Sequence, residues 1–513
     1  MKQKLFTLLL TIAVIFTMCF SAVPAYAADK QEGTPISTLD ELKAMENNPS
    51  GKYYLTADIK IPEGFTLFKN NYPNTVYFTG TLDGNGHKLI GYTVNHTSGE
   101  WYQGALFEEC KGAKFKNLTM TDVNINVKSD KGAFVGVLAG ECFEGDSLNS
   151  FSKITLEGDI HVSGSSTEND YRIGGLAYYL QGSVSSCKSK LNITADVKAG
   201  TYWGADLTIG GLGAVIMKGP VKSSRNYGDI TVNGFAGGTM SVNGVGGGSQ
   251  VKFTSTKNTG DIIINVPSDA EEGHIVVSGV TDRAEGLSSC YNTGKITVKS
   301  SGYSDSAAVA GVASESVTVY KCYNKGAINF NGKARDGEIG GVVCRGATGN
   351  EKNISLTYNK GKITATTDAN MKMGGIAAET YGMKNCYNTG SVTLKQEGKD
   401  SMVGGLAGNA ALMGGTVTCN YNTGKITASS QHKGSLLGTY EGADVVRKRN
   451  IYNNYYTGST KAYGASYITW KDWTAKATKV SAITAANCPK LSSKTWTYNK
   501  DKKRLILKDN KEK

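Results

Sequence analysis

After Phe20 the chain has no run of about twenty apolar residues, so no membrane-crossing helix is expected beyond it. Histidine is scarce. His87, His96, His161, His274 and His432 are the full set; none is followed by Glu and none lies four residues from another. That excludes the paired-histidine helix of a zinc peptidase. No C-x-x-C pair occurs, so a thiolate metal site is not supported. Amphipathic stretches of helix formers are missing between 50 and 460. The 64 glycines, beside only 8 prolines, follow no three-residue period, which excludes a collagen-like chain. No Ser/His/Asp pattern, phosphate loop or spaced-aspartate calcium loop is found. Neither a metal nor a cofactor is expected.

What is present begins with a leader. In "MKQKLFTLLLTIAVIFTMCFSAVPAYAADK", two lysines precede an apolar run from Leu5 to Phe20, and Ala25-Tyr26-Ala27 follows. These are the three regions of a secretory signal peptide, with cleavage expected after Ala27. Cys19 follows the bulky Met18, which does not suit a lipoprotein site. The protein is expected outside the cell, released or held non-covalently at its surface. The net charge of +12 includes Lys2 and Lys4 of the leader. Such a balance favours anionic wall polymers or acidic polysaccharides as partners, or simply solvates a strand-rich surface. The lysines are dispersed and the chain is exported, so nucleic acid is excluded.

From Gly228 onward a ten-residue phrase is rewritten: "SSCYNTGKITV", "YKCYNKGAINF", "LTYNKGKITA", "KNCYNTGSVTL", "CNYNTGKITA". The glycine closing each "YNxG" recurs every 29 to 35 residues, at Gly228, Gly260, Gly294, Gly326, Gly361, Gly390, Gly424 and Gly458. A second marker, glycine followed by an aliphatic residue, keeps the same period from Gly175-Leu176 to Gly405-Leu406. Two markers on one period identify a solenoid. Short β-branched runs such as "KITVK" alternate in and out, and Asn-x-Gly turns join them. Each unit is therefore one coil of a three-sided β-helix, with coils stacked about 4.8 Å apart.

The interior follows from the fixed offsets. Cys187, Cys290, Cys322, Thr357, Cys386 and Asn420 precede the "YN" position, and three residues earlier stand Val184, Leu287, Val319, Ile354, Met383 and Val417. Small then aliphatic in every coil is a packed ladder. Asn292, Asn324, Asn359, Asn388 and Asn422 form a second row whose amides can bond each other in a buried turn. Nine cysteines follow the leader, an odd number, and five lie at or beside one repeat position. Buried free thiols are expected rather than bridges.

A solenoid needs covered ends. In "ISTLDELKAMENNPSGKYYLTADIKI", Thr38 or Ser37 starts a short helix whose Leu39, Leu42 and Met45 share one face. The organisation expected is signal peptide 1–27, helical cap 28–50, β-helix 51–460 and an aromatic C-terminal cap 461–513. Tyr467, Trp470, Trp473 and Trp496 in that cap either pack over the last coil or offer a sugar-stacking platform.

The segment 35–61, with "FTGTLDGNGHKLIGYTV" and "GALFEECKGAKFKNLTMTDVNI" after it, resembles the start of a bacterial surface β-helix. The repeats, as in "VGGLAGN…CNYNTGKIT", resemble the GLUG motif. That motif occurs in large exported proteins of Gram-positive bacteria, including the non-catalytic region of immunoglobulin-A-protease-type zinc metallopeptidases. The resemblance spans roughly residues 35 to 460. It implies an all-β, right-handed parallel β-helix of the pectate-lyase-like class, used for surface display or adhesion, and it implies no reaction.

Function is therefore expected to be non-catalytic binding of an extracellular glycan or anionic wall polymer. The alternative is a polysaccharide lyase or glycoside hydrolase with a site on the rod's side, since β-helices host such enzymes. That chemistry needs paired carboxylates, or acids with a free base. Asp282-Arg283 and Asp336 interrupt coils at positions that elsewhere are small, and with Arg345 they could line one groove. A third reading, a bare spacer, needs partner domains that this stretch does not contain.

Overall fold

Asn324 sits inside the rod with no solvent exposure. Its Nδ2 donates to Asn359 Oδ1 in the next coil and to the carbonyl of Gly326 in its own. The same pair of bonds recurs in every coil from Asn226 through Asn258, Asn292, Asn324, Asn359 and Asn388, with amide-to-amide distances between 2.8 and 3.0 Å. Asn422 closes the run and bonds Gly424 O. The ladder begins two coils earlier than the expected row. One coil before Asn226 the position belongs to Ser189, and there the ladder stops.

The computed structural model describes residues 32–512 apart from 201–204, 250, 271–272, 347–353, 397, 413–414, 443–449 and 468–474. The leader lies outside the described residues. The fold is a parallel β-solenoid of about 12 turns, with a short helix near the N-terminus. Strands of successive coils pair in parallel and in register, as in Ile296↔Ile328↔Ile363↔Val392↔Ile426. The aliphatic row runs unbroken from Val184 through Val221, Phe253, Leu287, Val319, Ile354, Met383 and Val417 to Ile451. All nine cysteines among the described residues are free, and eight are buried. Burial holds the Cys187 and Cys386 thiols up at about 12, so they pack as small hydrophobes rather than react.

Both glycine markers have one cause. A Cβ on Gly341 would stand 1.9 Å from Gly375 O and 2.8 Å from Asn359 Cγ; one on Gly326 would stand 1.8 Å from Gly294 O. The backbone passes so close to the asparagine ladder that only glycine fits on either side of it.

The ends use what the sequence offers. Thr38 caps the helix Leu39–Lys43 in a capping box with Glu41, and Leu42 and Met45 are fully buried. At the other end the tyrosine of each "YN" points outward. Tyr291, Tyr323, Tyr358, Tyr387 and Tyr421 stack with ring centroids 4.4–5.0 Å apart and planes within 13°. The closing segment packs along this flank instead of sitting only on the last coil. Its antiparallel pair Trp496–Asn499 and Arg504–Leu507 lies on the stack, with Trp496 buried 5.4 Å from the Tyr421 ring. The physical reason is the stack itself, an apolar stripe too long to leave in water. Trp496 thus gives its face to Tyr421 and Tyr387.

Replacing Asn359 with Ala removes four hydrogen bonds and strands amide atoms of Asn324 and Asn388. A loss of at least about 2 kcal/mol is expected in urea unfolding. Lys362→Ala, exposed one coil-face away, should stay within about 0.5 kcal/mol. Equal midpoints for the two variants would contradict the role given to the ladder.

Candidate functional site: a groove along the rod

At the Gly340-Gly341 corner the chain turns so sharply that the strands Ile328–Gly340 and Val343–Gly346 face each other across a concave bend. Residues seven apart then touch. Arg345 Nε donates to Glu338 Oε2 at 2.8 Å, and Lys372 donates to Glu379 one coil on. Near the N-terminus Gln103 and Glu109, six apart, meet across the bend, with Gln103 Nε2 donating to Glu109 Oε1 at 3.4 Å. Stacked coil on coil, the bend becomes a groove. One wall carries Ser241, Val276, Ala308, Glu338 and Lys372 in register; the other carries Arg283, Glu315, Arg345, Glu379 and Asn409.

The residues singled out by sequence meet here. Asp282, Arg283 and Arg345 lie on one wall, and Asp336 stands exposed on the lip of the other, two residues before Glu338. Asp282 accepts from Ser241 Oγ at 3.0 Å and from the Gly248 N–H at 2.8 Å, which ties its coil to the preceding one at two points. Burial pushes its carboxyl above the usual carboxylate range. Arg283 donates to Glu315 Oε2 at 3.2 Å. The charges on this stretch of groove therefore neutralise one another across coils.

Beside Asp282 the groove widens into a hollow of about 510 Å³. It exists because the groove-facing positions are small there: Ala214 stands one coil after Tyr178, Gly247 continues the row of Tyr179 and Val215, and Gly248 and Ser314 are small as well. His274, Thr208 and Thr239 complete a polar rim. Tyr467 stands at the far end, 51% exposed, with its hydroxyl 3.1 Å from His432 Nε2 on the groove wall. Trp470 and Trp473 lie outside the described residues. Among the described residues no group of three His, Cys, Asp or Glu side chains is placed to hold a metal. Nor is any helix among them long and apolar enough to cross a membrane.

One pair was missed by sequence reasoning. Glu109 and Glu141 are register partners on adjacent coils, about 4.8 Å apart along the rod. Glu109 is buried, and desolvation, with Glu141 and Glu108 nearby, raises its carboxyl to about 8. Glu141 is also raised by burial, with Arg172 opposing the rise. The Tyr178 hydroxyl beside them is buried without a hydrogen-bond partner. The signal was available: "EEC" and "GEC" place Glu109-Cys110 and Glu141-Cys142 one coil apart, cysteine inward and glutamate outward.

A carboxyl raised in the folded state favours folding only while it is protonated. Wild-type stability relative to Glu109→Gln should therefore fall as pH climbs from about 4.5 to about 8 and level off beyond. Thermal melts of both proteins across that window check it; a gap independent of pH would contradict the buried acid.

Comparison with known proteins follows the N-terminal coils. Residues 27–155 match the family model described as the M26 IgA1-specific metallo-endopeptidase N-terminal region. An immunoglobulin A1 protease of Streptococcus pneumoniae is 30% identical over 232 residues, 39% of this chain and 11% of that protein. One of Streptococcus sanguinis is 28% identical over 239 residues, 42% of this chain and 12% of that protein. The aligned stretch thus covers only about a ninth of those relatives' length. No solved structure matches. The resemblance is to the N-terminal region of the M26 IgA1-specific metallo-endopeptidases, carried on a parallel β-solenoid.

Proposed function

We propose that the protein is a non-catalytic extracellular β-helix that binds glycan chains along its groove. Export rests on the leader at 1–27 and the display role on the resemblance of residues 27–155. The single observation behind the binding reading is the mutual pairing of the groove charges: Arg283 with Glu315, Arg345 with Glu338, Lys372 with Glu379. A lyase needs a base held free to take a proton. Here each cation is engaged by a carboxylate, which leaves a groove suited to hydrogen bonding with neutral hydroxyls. The hollow beside Asp282, rimmed by Thr208, Thr239 and His274, gives a sugar ring room, and Tyr467 offers an exposed aromatic edge downstream.

A second reading, glycoside hydrolase, has one observation in its favour. Glu109 is an acid kept protonated at neutral pH, and its register partner Glu141 faces Arg172. Their strands lie about 4.8 Å apart, a spacing that lets two carboxyls approach the roughly 5 Å separation of retaining hydrolases.

The leaderless protein is passed over immobilised neutral polysaccharides, and reducing ends are followed in the same samples. Retention without new reducing ends is expected. The double variant His274→Ala/Arg283→Ala, whose side chains are exposed, should lose at least about tenfold in affinity with Tm within about 2 °C of wild type. New reducing ends that vanish in Glu109→Gln would replace the binding reading with the hydrolase.

A further inference from the structure

Elsewhere on the rod, cations on neighbouring coils sit against acids: Lys190 with Glu157 at 3.0 Å, Lys252 with Glu285 at 3.2 Å, Lys131 with Glu100. One row departs from this habit. Lys188, Arg225 and Lys257 are direct register partners on three successive coils, and none has a carboxylate partner among the described residues. Like charges stacked this way repel and destabilise a sheet. Two of the heads rest on aromatic faces. The Arg225 guanidinium lies 5.2 Å from the Tyr227 ring centre, and the Lys257 ammonium 4.9 Å from that of Tyr291. Tyr227 is itself 38% exposed.

The row does not end at Lys257. Tyr291 is its next register partner, and from there it continues as the tyrosine stack. On that continuation the chain lays down an acid-bearing closing segment of its own, just after the strand Arg504–Leu507. Glu512 accepts from the Tyr387 hydroxyl at 2.7 Å and pairs with Lys360 at 2.8 Å. Asn510 bonds Leu356 O and Cys322 O, and Asp509 lies 3.8 Å from Lys321. The closing segment thus shows what this flank accepts: a chain presenting carboxylates to Lys321, Lys360 and the Tyr387 hydroxyl. Lys188, Arg225, Lys257 and Tyr291 lie on coils before those contacts.

The geometry points to a binding track for an acidic polysaccharide, formed by Lys188, Arg225 and Lys257 and continued by Tyr291. One cation stands on each coil, about 4.8 Å from the next. That spacing is close to the rise of one hexopyranose unit in an extended uronic-acid chain, so successive carboxylates meet successive cations, and Tyr227 and Tyr291 flank the sugar faces. The track is separate from the groove and does not depend on glycan binding there.

The test uses polygalacturonate, titrated into the leaderless protein at low and high salt, with dextran as the neutral control. Binding to polygalacturonate that weakens steeply with salt is expected, with at least about a tenfold loss in Lys188→Gln/Arg225→Gln/Lys257→Gln. A second triple variant, Lys43→Gln/Lys299→Gln/Lys395→Gln, removes the same charge from other exposed sites and should bind as wild type. If the track variant misfolds by circular dichroism, Arg225→Gln alone serves, with about a threefold loss expected. Equal losses in the two triple variants would reduce the effect to bulk charge and overturn the track. So would unchanged binding in the track variant, or duplex DNA bound more tightly than polygalacturonate.

Discussion

From Asn226 to Asn422 the rod depends on one contact repeated coil after coil: a buried asparagine amide pressed between two glycines. Each amide donates once along its own turn and once to the next coil, which satisfies groups that burial would otherwise leave orphaned. The geometry leaves no space for a Cβ at Gly341 on one side or Gly326 on the other. Coil length can vary because insertions fall on the faces between these corners, as the 29- to 35-residue spacing records. What cannot vary is the corner.

The surface follows from that interior. Because Asn turns in, the residue before it must turn out, and the five coils that place Tyr there, from Tyr291 to Tyr421, build an aromatic stripe that the closing segment then covers. Because the second glycine marker forces a sharp bend, the strands beyond it face each other and make a groove. The groove and the flank are by-products of packing, and the chemistry they carry depends on which residues occupy the outward positions. Small residues at Ala214, Gly247 and Ser314 open a hollow. Charged residues at Glu338, Arg345 and Lys372 close the next coils by pairing. Lys188, Arg225 and Lys257, which have no carboxylate partner among the described residues, line up as a cationic row on the flank.

Most of the architecture was legible in the sequence because repetition averages away local ambiguity. Two glycine markers, one asparagine row and one aliphatic row were read correctly, and the capping box at Thr38 was visible as a short motif. The asparagine row was read two coils short, because "RNYGD" and "KNTGD" depart from the phrase at its first residue. The shared groove of Asp282, Arg283, Asp336 and Arg345 was legible only as a condition, since periodicity says which residues face outward but not that a bend brings two faces together. Glu109 and Glu141 were hidden for another reason. They sit in N-terminal coils whose Asn-Gly phrase is absent, so no register linked them until the strands were paired. The path of Trp496 along the flank could not be read either, because an aromatic residue near a chain end carries no information on which apolar surface will claim it.

The most direct test of the corner is a single methyl group. Gly341→Ala places a Cβ against the Gly375 carbonyl and the Asn359 amide, whereas Gly145→Ala meets nothing nearer than the flexible Lys111 side chain at 3.3 Å, with backbone at an ordinary 3.5 Å. Thermal unfolding of the two variants beside wild type compares a forbidden methyl with a permitted one. The account predicts that Gly145→Ala melts within about 2 °C of wild type, while Gly341→Ala loses about 10 °C or more or fails to fold. A Gly341→Ala protein that melts with wild type would contradict the claim that the asparagine–glycine corner holds the coils together.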